Sequence, residues 1–461
     1  MKILFVIYDN ESSRPCVPMG ILYIASYIKK HGYEDIHFYS QDIYHYSESH
    51  LTEYLSKNNF DIVGIGFVAG YFQHKKILKI CSAINKAKNR PFVVLGGHGP
   101  SPLPEFYLKI TGADAVVIGE GEIPFLNLVK AIENNNSLKE VKSIAHRNGG
   151  EIIINTKEPS TKDIETFPYP LVEALPMEHY INPKEFMMEN TDRKIYMITG
   201  RGCNYTCNFC QRIEGGIRFR PVEAVIDEIK KYIRDYAITY IIFWDELFMI
   251  SKKRVYEIAE AILKENININ YWCTGRLNIV DGNLMKIMKR SGCSYINYGI
   301  EQFDNNALQA MNKKLTEDQI IKGIEITQKE DIYIDFNIIF GNIGDTRQSL
   351  KKSLKLLKKY NDFGQLRVIR PVTPYPGSPL YYIAIEKGLI TGPEDFYKLH
   401  NNLELLTVNF TDIPDDEFYQ LMYDANKEII DDYYEHQKSE MIASFKNIYF
   451  EKDFDFRGTR H

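Results

Sequence analysis

The chain has 461 residues, 44% hydrophobic and 25% charged, which is the balance of a folded globular protein with room for about three domains of roughly 150 residues each. A formal net charge of -5 gives no electrostatic basis for nucleic acid as the main partner, and no apolar run reaches the roughly 18 residues a membrane span needs. Seven cysteines, three of them within one short motif, argue against a disulfide framework and for a reducing, cytoplasmic setting.

In chain order, Ile3 to Tyr8 reads as a first strand, followed by a loop with Pro15, Pro18 and Gly20 and a helix carrying Ile21, Ile24, Ala25 and Ile28. Strands are then expected at Ile36 to Tyr39, Ile62 to Phe67, Phe92 to Leu95 and Ala115 to Ile118, with helices near Leu51 to Leu55, Gln73 to Ala87 and Phe125 to Ile132. This alternation predicts a doubly wound parallel sheet, whose ligands bind outside the carboxyl ends of the strands. Glycines gather at those ends: Gly64, Gly66 and Gly70, then Gly96-Gly97-His98-Gly99, then Gly119-Glu120-Gly121-Glu122. They suit the close approach of a large flat ligand, and equally the tight turns of an empty Rossmann-like domain. A dinucleotide is disfavoured, because no G-x-G-x-x-G follows the first strand and Glu120 and Glu122 repel a pyrophosphate.

Residues 143–193 hold Pro159, Pro168, Pro170, Pro176 and Pro183 and are expected to wrap as a linker. A strand from Lys194 to Thr199 then delivers Gly200-Arg201-Gly202-Cys203-Asn204-Tyr205-Thr206-Cys207-Asn208-Phe209-Cys210 at its end. The C-x3-C-x2-C spacing offers three soft thiolates and no nearby fourth ligand, as suits iron or zinc with one position open. Five further strand-helix repeats follow, with strands at Tyr240 to Trp244, Asn270 to Arg276, Tyr295 to Gln302, Ile334 to Gly341 and Gln365 to Ile369. Asp245 and Glu246 end the first of these strands as site carboxylates or helix caps, and Arg276 ends the second as a cation able to grip a carboxylate. Cys273 and Cys293 read as buried apolar residues.

The run CNYTCNFC, with Phe209 before the last cysteine, resembles the signature of radical S-adenosylmethionine (SAM) enzymes. In that family three thiolates hold a 4Fe-4S cluster whose open iron is chelated by SAM. The stretches PMGILYIASYIKKHGY, DIVGIGFVAG, LGGHGPSPLPE and ADAVVIGEGEIPF resemble the cobalamin-binding domain that precedes the radical SAM core in one subclass.

The resemblance implies a Rossmann-like cobalamin domain over residues 1–142, the linker 143–193, a partial (β/α)6 barrel over 194–380 and a small helical substrate-side region over 381–461. It implies cluster ligation by Cys203, Cys207 and Cys210, and SAM contacts from Phe209, Asp245, Glu246, Arg276, Glu301 and Gln302. Gln302 stands where the family usually has Ser, and Asn342-Ile343-Gly344-Asp345-Thr346 departs from its F-G-x-P-G-E-T at two positions.

Cobalamin contacts are expected at Pro18, Gly66, Gly70, Gly96, Gly97, Gly119 and Glu120. The first loop lacks the D-x-H-x-x-G histidine, so no lower ligand of cobalt is assigned; His98 reads as a turn residue. The implied activity is reductive SAM cleavage to a 5'-deoxyadenosyl radical used on an unactivated carbon of a small molecule. The outcome is C-methylation, or alternatively oxidative cyclisation or rearrangement with the same cofactors. An electron donor such as flavodoxin or ferredoxin is implied. A non-catalytic cobalamin sensor is the reading of another class. In the last 80 residues Tyr433 and Tyr434 either line a substrate pocket or belong to a helix core.

Overall fold

The computed structural model describes residues 1–11, 15–400 and 408–451; parts of the expected first loop and of the C-terminal region lie outside these described residues. Strands β1 (Ile3–Ile7), β2 (Ile36–Ser40), β3 (Ile62–Gly66), β4 (Phe92–Gly96), β5 (Ala115–Val117), β6 (Ile144–Asn148) and β7 (Glu151–Ile154) form one sheet in the order β2-β1-β3-β4-β5-β6-β7. The first five are parallel. Apart from the edge strand β2, Ile-His-Phe-Tyr-Ser, their sequences are rich in Ile, Val and Leu because helices cover both faces, and the chain reverses direction of winding beside β1.

The sheet is longer than expected. Residues 144–154, read from sequence as the start of a linker, form an antiparallel hairpin that pairs with β5. The reason is local: Asn148-Gly149-Gly150 supplies a tight turn, with Gly149 at φ +61°.

The second sheet contains β8 (Lys194–Met197), β11 (Tyr240–Phe243), β12 (Asn270–Gly275), β13 (Cys293–Glu301), β14 (Tyr333–Phe340) and β15 (Ile369–Pro371), all parallel and in sequential order. Between β8 and β11 a two-stranded ribbon, β9 (Gly200–Arg201) and β10 (Arg218–Phe219), frames the cysteine loop. Alternation decides the faces. Met197, Phe243, Cys273, Tyr298 and Phe336 pack outward into the main core, while Tyr196, Trp272 and Tyr295 share the opposite, inner face.

The sixth strand begins later than its apolar pattern suggests. Arg367, expected inside the strand, is buried and bonds the Ile334 carbonyl, Asn361 and Asp362, so ladder pairing starts only at Ile369. The open edge of β15 is covered by Asn426 of the helix Asp415–Lys446, which exchanges two hydrogen bonds with the Ile369 backbone at 2.8 and 3.0 Å.

The two sheets share a core. Ile7, Val17, Met19, Leu22 and Tyr23 from the first unit are continuous with the apolar face of the barrel strands. The C-terminal segment joins both: Tyr381, Phe396 and Tyr397 pack on the first unit, and Phe418, Met422 and Ile429 pack on the barrel. Tyr397 stacks on His74 at 3.9 Å and accepts a hydrogen bond from Tyr107 at 2.8 Å. Tyr433 and Tyr434 are not core residues; Tyr434 is exposed and Tyr433 half-buried. No helix among the described residues is long and apolar enough to cross a membrane.

Candidate active site

The cysteine loop leaves β8 through Gly202, which has φ +85° and comes so close to Gly216 that a Cβ would meet its carbonyl at 2.3 Å. Only glycine fits there. The loop is then tied down from three sides. The Asn208 amide donates to the Met311 carbonyl at 3.0 Å, Leu380 donates to the Asn208 carbonyl at 2.8 Å, and the side chains of Asn208 and Asn342 exchange bonds at 3.0 and 2.9 Å. Asn312 reaches Thr206. The cysteine backbone is therefore held by turns following β13, β14 and β15.

Cys203 is half-buried, Cys207 buried and Cys210 at the rim. Burial, then Glu246 and Cys207, raise the Cys203 thiol, against the pull of the Tyr205 amide and Arg276. Cys210 keeps solvent contact, yet protein crowding around its sulfur and the charges of Cys207 and Cys203 push it up to about 11. The three sulfurs thus sense one another. Among the described residues no three His, Cys, Asp or Glu side chains converge as they would around one ion. A polynuclear cluster is different: each thiolate binds its own iron, so its sulfurs stand further apart. Three soft donors on one braced loop fit that group.

Cations flank the thiols. Arg276 is buried, with its guanidinium 3.5 Å from the Tyr205 ring centre and Nη2 donating to the carbonyls of Lys313 and Lys314. Its Nε has no partner in the protein. Burial lowers its pKa, opposed by Tyr205 and by Cys207 and Cys203. Lys313 lies 2.9 Å from Glu301 and 5.7 Å from the Phe209 ring centre. Glu301 sits at φ +67°, where the ladder between β13 and β14 shifts register, so its carboxylate turns back beside Gly299.

The other carboxylates divide. Asp245 accepts from the Thr199 amide and hydroxyl at 2.6 and 2.5 Å, tying the end of β11 to the end of β8. Burial raises its carboxyl to about 6 in spite of those bonds. Glu246 faces the thiols from an exposed position; the protein around it and Glu120 raise it, against Arg218 and Arg212. Gln302 is fully buried and bonds Asp345, Ser353 and the Phe303 amide, so its polar atoms serve the interior beneath the site. Asp345 accepts from the Gly341 and Asn342 amides at 2.9 Å, while Thr346 caps the following helix.

The strand-end loops of the first sheet meet the cysteine loop directly. Gln211, next to Cys210, donates to the His98 carbonyl, and Gly377 packs on Pro102 and Gln211. Glu120 holds Arg218 through two bonds at 2.6 and 2.9 Å, and Arg201 lies between Glu122 at 2.6 Å and Glu120 at 3.6 Å. Burial opposes charge on Glu120, but Arg218 and Arg201 outweigh it and hold the carboxyl below its ordinary value.

Glycines end the strands as expected. Gly97 and Gly119 have φ +95°, and Gly97 nearly touches the Phe67 backbone. Gly66 and Gly96 close β3 and β4, Gly70 precedes the helix Tyr71–Asn85, and Pro18 precedes the helix Met19–Lys30. Lys313, Tyr205, Arg201 and Arg218 were not singled out from sequence. Arg201 and Tyr205 had a local signal in their place within the cysteine loop, and Lys313 in the turn Met311-Asn312-Lys313 after β13.

Comparison with known proteins agrees with this geometry. The B12 binding domain profile matches residues 7–129 and the radical SAM superfamily profile matches residues 197–357. An uncharacterised methyltransferase of Pyrococcus horikoshii is 30% identical over 403 residues, covering 85% of this chain and 84% of that protein. The anaerobic magnesium-protoporphyrin IX monomethyl ester cyclase of Rubrivivax gelatinosus is 26% identical over 397 residues, covering 83% and 69%. Among solved structures, the radical SAM methyltransferase TsrM from Kitasatospora setae, with cobalamin and a 4Fe-4S cluster bound, superposes with TM-score 0.69 at 16% identity, covering 85% of this chain and 80% of that one. The chain belongs to the cobalamin-binding-domain radical SAM enzymes. Its cofactors are a 4Fe-4S cluster, SAM and cobalamin.

Proposed function

We propose that this enzyme methylates an unactivated carbon of a small-molecule substrate. The observation that carries the reading is the meeting of the cysteine loop with the glycine-ended loops of the first sheet at Gln211–His98 and Arg218–Glu120. When bound, the cluster supplies an electron that cleaves SAM to a 5'-deoxyadenosyl radical, and cobalamin carries the methyl group. Cys203, Cys207 and Cys210 hold the cluster. Lys313 and Arg276 receive the carboxylate of SAM, and Glu301 accepts from its amino group. Glu246 and Phe209 border the same space.

The remaining residues position these. Asn208, Asn342 and Met311 fix the loop, and Asp245 locks the ends of β8 and β11, so the reacting groups are held before substrate arrives. Burial of Lys313 and Glu301 shields this ion pair from water. Pro18, Gly66, Gly70, Gly96, Gly97 and Gly119 provide the backbone rim for cobalamin, whereas Glu120 serves as the anchor of Arg218. The rim position of Cys210 leaves a route for a one-electron protein donor such as flavodoxin or ferredoxin.

The methyltransferase relative supports methyl transfer. The similarity to the cyclase favours a second reading, in which the same cofactors carry out oxidative cyclisation without methyl transfer. Incubating the anaerobically reconstituted enzyme with SAM, cobalamin, a one-electron reductant and candidate small-molecule substrates tests the choice. Formation of both 5'-deoxyadenosine and S-adenosylhomocysteine is expected. 5'-Deoxyadenosine alone refutes methyl transfer, and absence of both refutes the reading as a whole.

A further inference from the structure

The inner face of the barrel carries an aromatic arc that no step above uses. Register places Tyr196, Ile242, Trp272, Tyr295 and Tyr333 on one rung across β8, β11, β12, β13 and β14. Trp244, two residues beyond Ile242, stands edge-on to Tyr196 at 5.3 Å and 90° and to Trp272 at 5.5 Å and 75°. Trp272 in turn meets Tyr295 at 5.9 Å and 90°. The chain has only two tryptophans, and both lie here in mutual contact. Edge contacts on its flanks fix the ring of Trp244, yet the residue is 49% exposed. A pre-set, uncovered indole on the concave side of a barrel is a surface built to be covered by a ligand.

The polar partner of this surface is one step along the same strand. Tyr295, Asn297 and Gly299 alternate on the inner face of β13, and beyond the register shift the Glu301 carboxylate turns back beside Gly299, so Asn297 lies between the aromatic rung and the Glu301–Lys313 pair. Asn337 of β14 donates to Asn297 at 2.5 Å and is itself exposed. That bond occupies one donor and one acceptor of the pair and leaves amide hydrogens and an oxygen for a ligand. Gly299 adds no side chain between Asn297 and Glu301.

We infer that Trp244, Trp272, Asn297 and Asn337 form the substrate-recognition surface, and that the substrate carries a flat unsaturated ring with an amide- or carbonyl-like hydrogen-bonding edge. The ring stacks on Trp244, and the polar edge meets the paired asparagines. This rests on the proposed function only in that turnover takes place beside the cysteine loop; the recognition itself is a binding property.

The test uses the full-length, cluster-reconstituted protein and two probes of matched shape and edge, naphthalene-2-carboxamide and its fully saturated decahydro counterpart, in equilibrium dialysis. The flat probe is expected to bind about tenfold more tightly. Trp244→Leu is expected to abolish that preference, and Trp244→Phe, which keeps a flat ring, to retain most of it. Equal affinity for the two probes, binding of neither, or a preference that survives Trp244→Leu each overturns the inference. SAM cleavage by the unsubstituted enzyme without substrate is measured separately. Cleavage without ring-selective binding removes this inference alone, while ring-selective binding without cleavage removes the proposed function and leaves the recognition surface in place.

Discussion

Lys313 and Glu301 form a 2.9 Å ion pair in the interior beside the cysteine loop, although neither belongs to the motif that carries the cysteines. The pair joins the end of β13 to the turn that also holds Asn208, so it is positioned to stabilise the loop and to present charge to SAM.

Lys313→Met is expected to lower unfolding free energy by about 3 kcal/mol, because it leaves Glu301 buried and unpaired. Lys313→Met combined with Glu301→Leu is expected to recover most of that loss in denaturant unfolding. SAM affinity, measured by calorimetry, is expected to stay at least about tenfold weakened in both variants. Recovery of affinity along with stability counts against a SAM-binding role.

Cys207→Ala removes one of three donors from the braced loop. Iron content of the reconstituted protein is expected to fall to a minor fraction of wild type, and 5'-deoxyadenosine formation to vanish. Iron retention together with undiminished cleavage contradicts the ligand assignment.

Glu120→Gln weakens the clamp between the first sheet and the cysteine ribbon. Glu120 has a depressed carboxyl pKa in the fold, so its stabilising contribution is present above its ordinary value of 4.5 and is lost as pH falls through the lower folded value. The stability difference between wild type and Glu120→Gln, expected to be about 2 kcal/mol near neutrality, is therefore expected to shrink on acidification below that value.

Asp245 behaves in the opposite sense. Its carboxyl is raised from 3.8 to about 6, so the folded state holds the proton more tightly and this group favours folding more as pH falls between those values. Asp245→Asn is expected to be stabilising near neutral pH by on the order of 2 kcal/mol and nearly neutral at the acidic end of that window. Thermal unfolding at several pH values reads the effect. A uniform loss of stability at every pH contradicts the account.

The alternation of strands and helices and the cysteine loop were legible from residues 3–132 and 197–210, because parallel strands buried on both faces read as short Ile- and Val-rich runs. The hairpin at Asn148-Gly149-Gly150 was obscured by the proline-rich stretch that follows it. The late start of β15 was obscured by Arg367, whose burial depends on Ile334 and Asn361 and has no local signal. Contacts set by tertiary structure were the least legible. Asp245 and Gln302 carry the expected motif, yet their bonds to Thr199 and to Asp345 and Ser353 direct them into the framework. Lys313, Arg201 and Arg218 gain their places only when distant segments fold together.

The most direct test of the central claim follows the methyl group of SAM. Anaerobically reconstituted enzyme, cobalamin, reductant and methyl-labelled SAM are incubated with candidate substrates, and the products are resolved by mass spectrometry. The account predicts label on a carbon of the small-molecule product together with 5'-deoxyadenosine, with the label transfer dependent on added cobalamin. Product formation with no label transferred, or at the same rate without cobalamin, contradicts it.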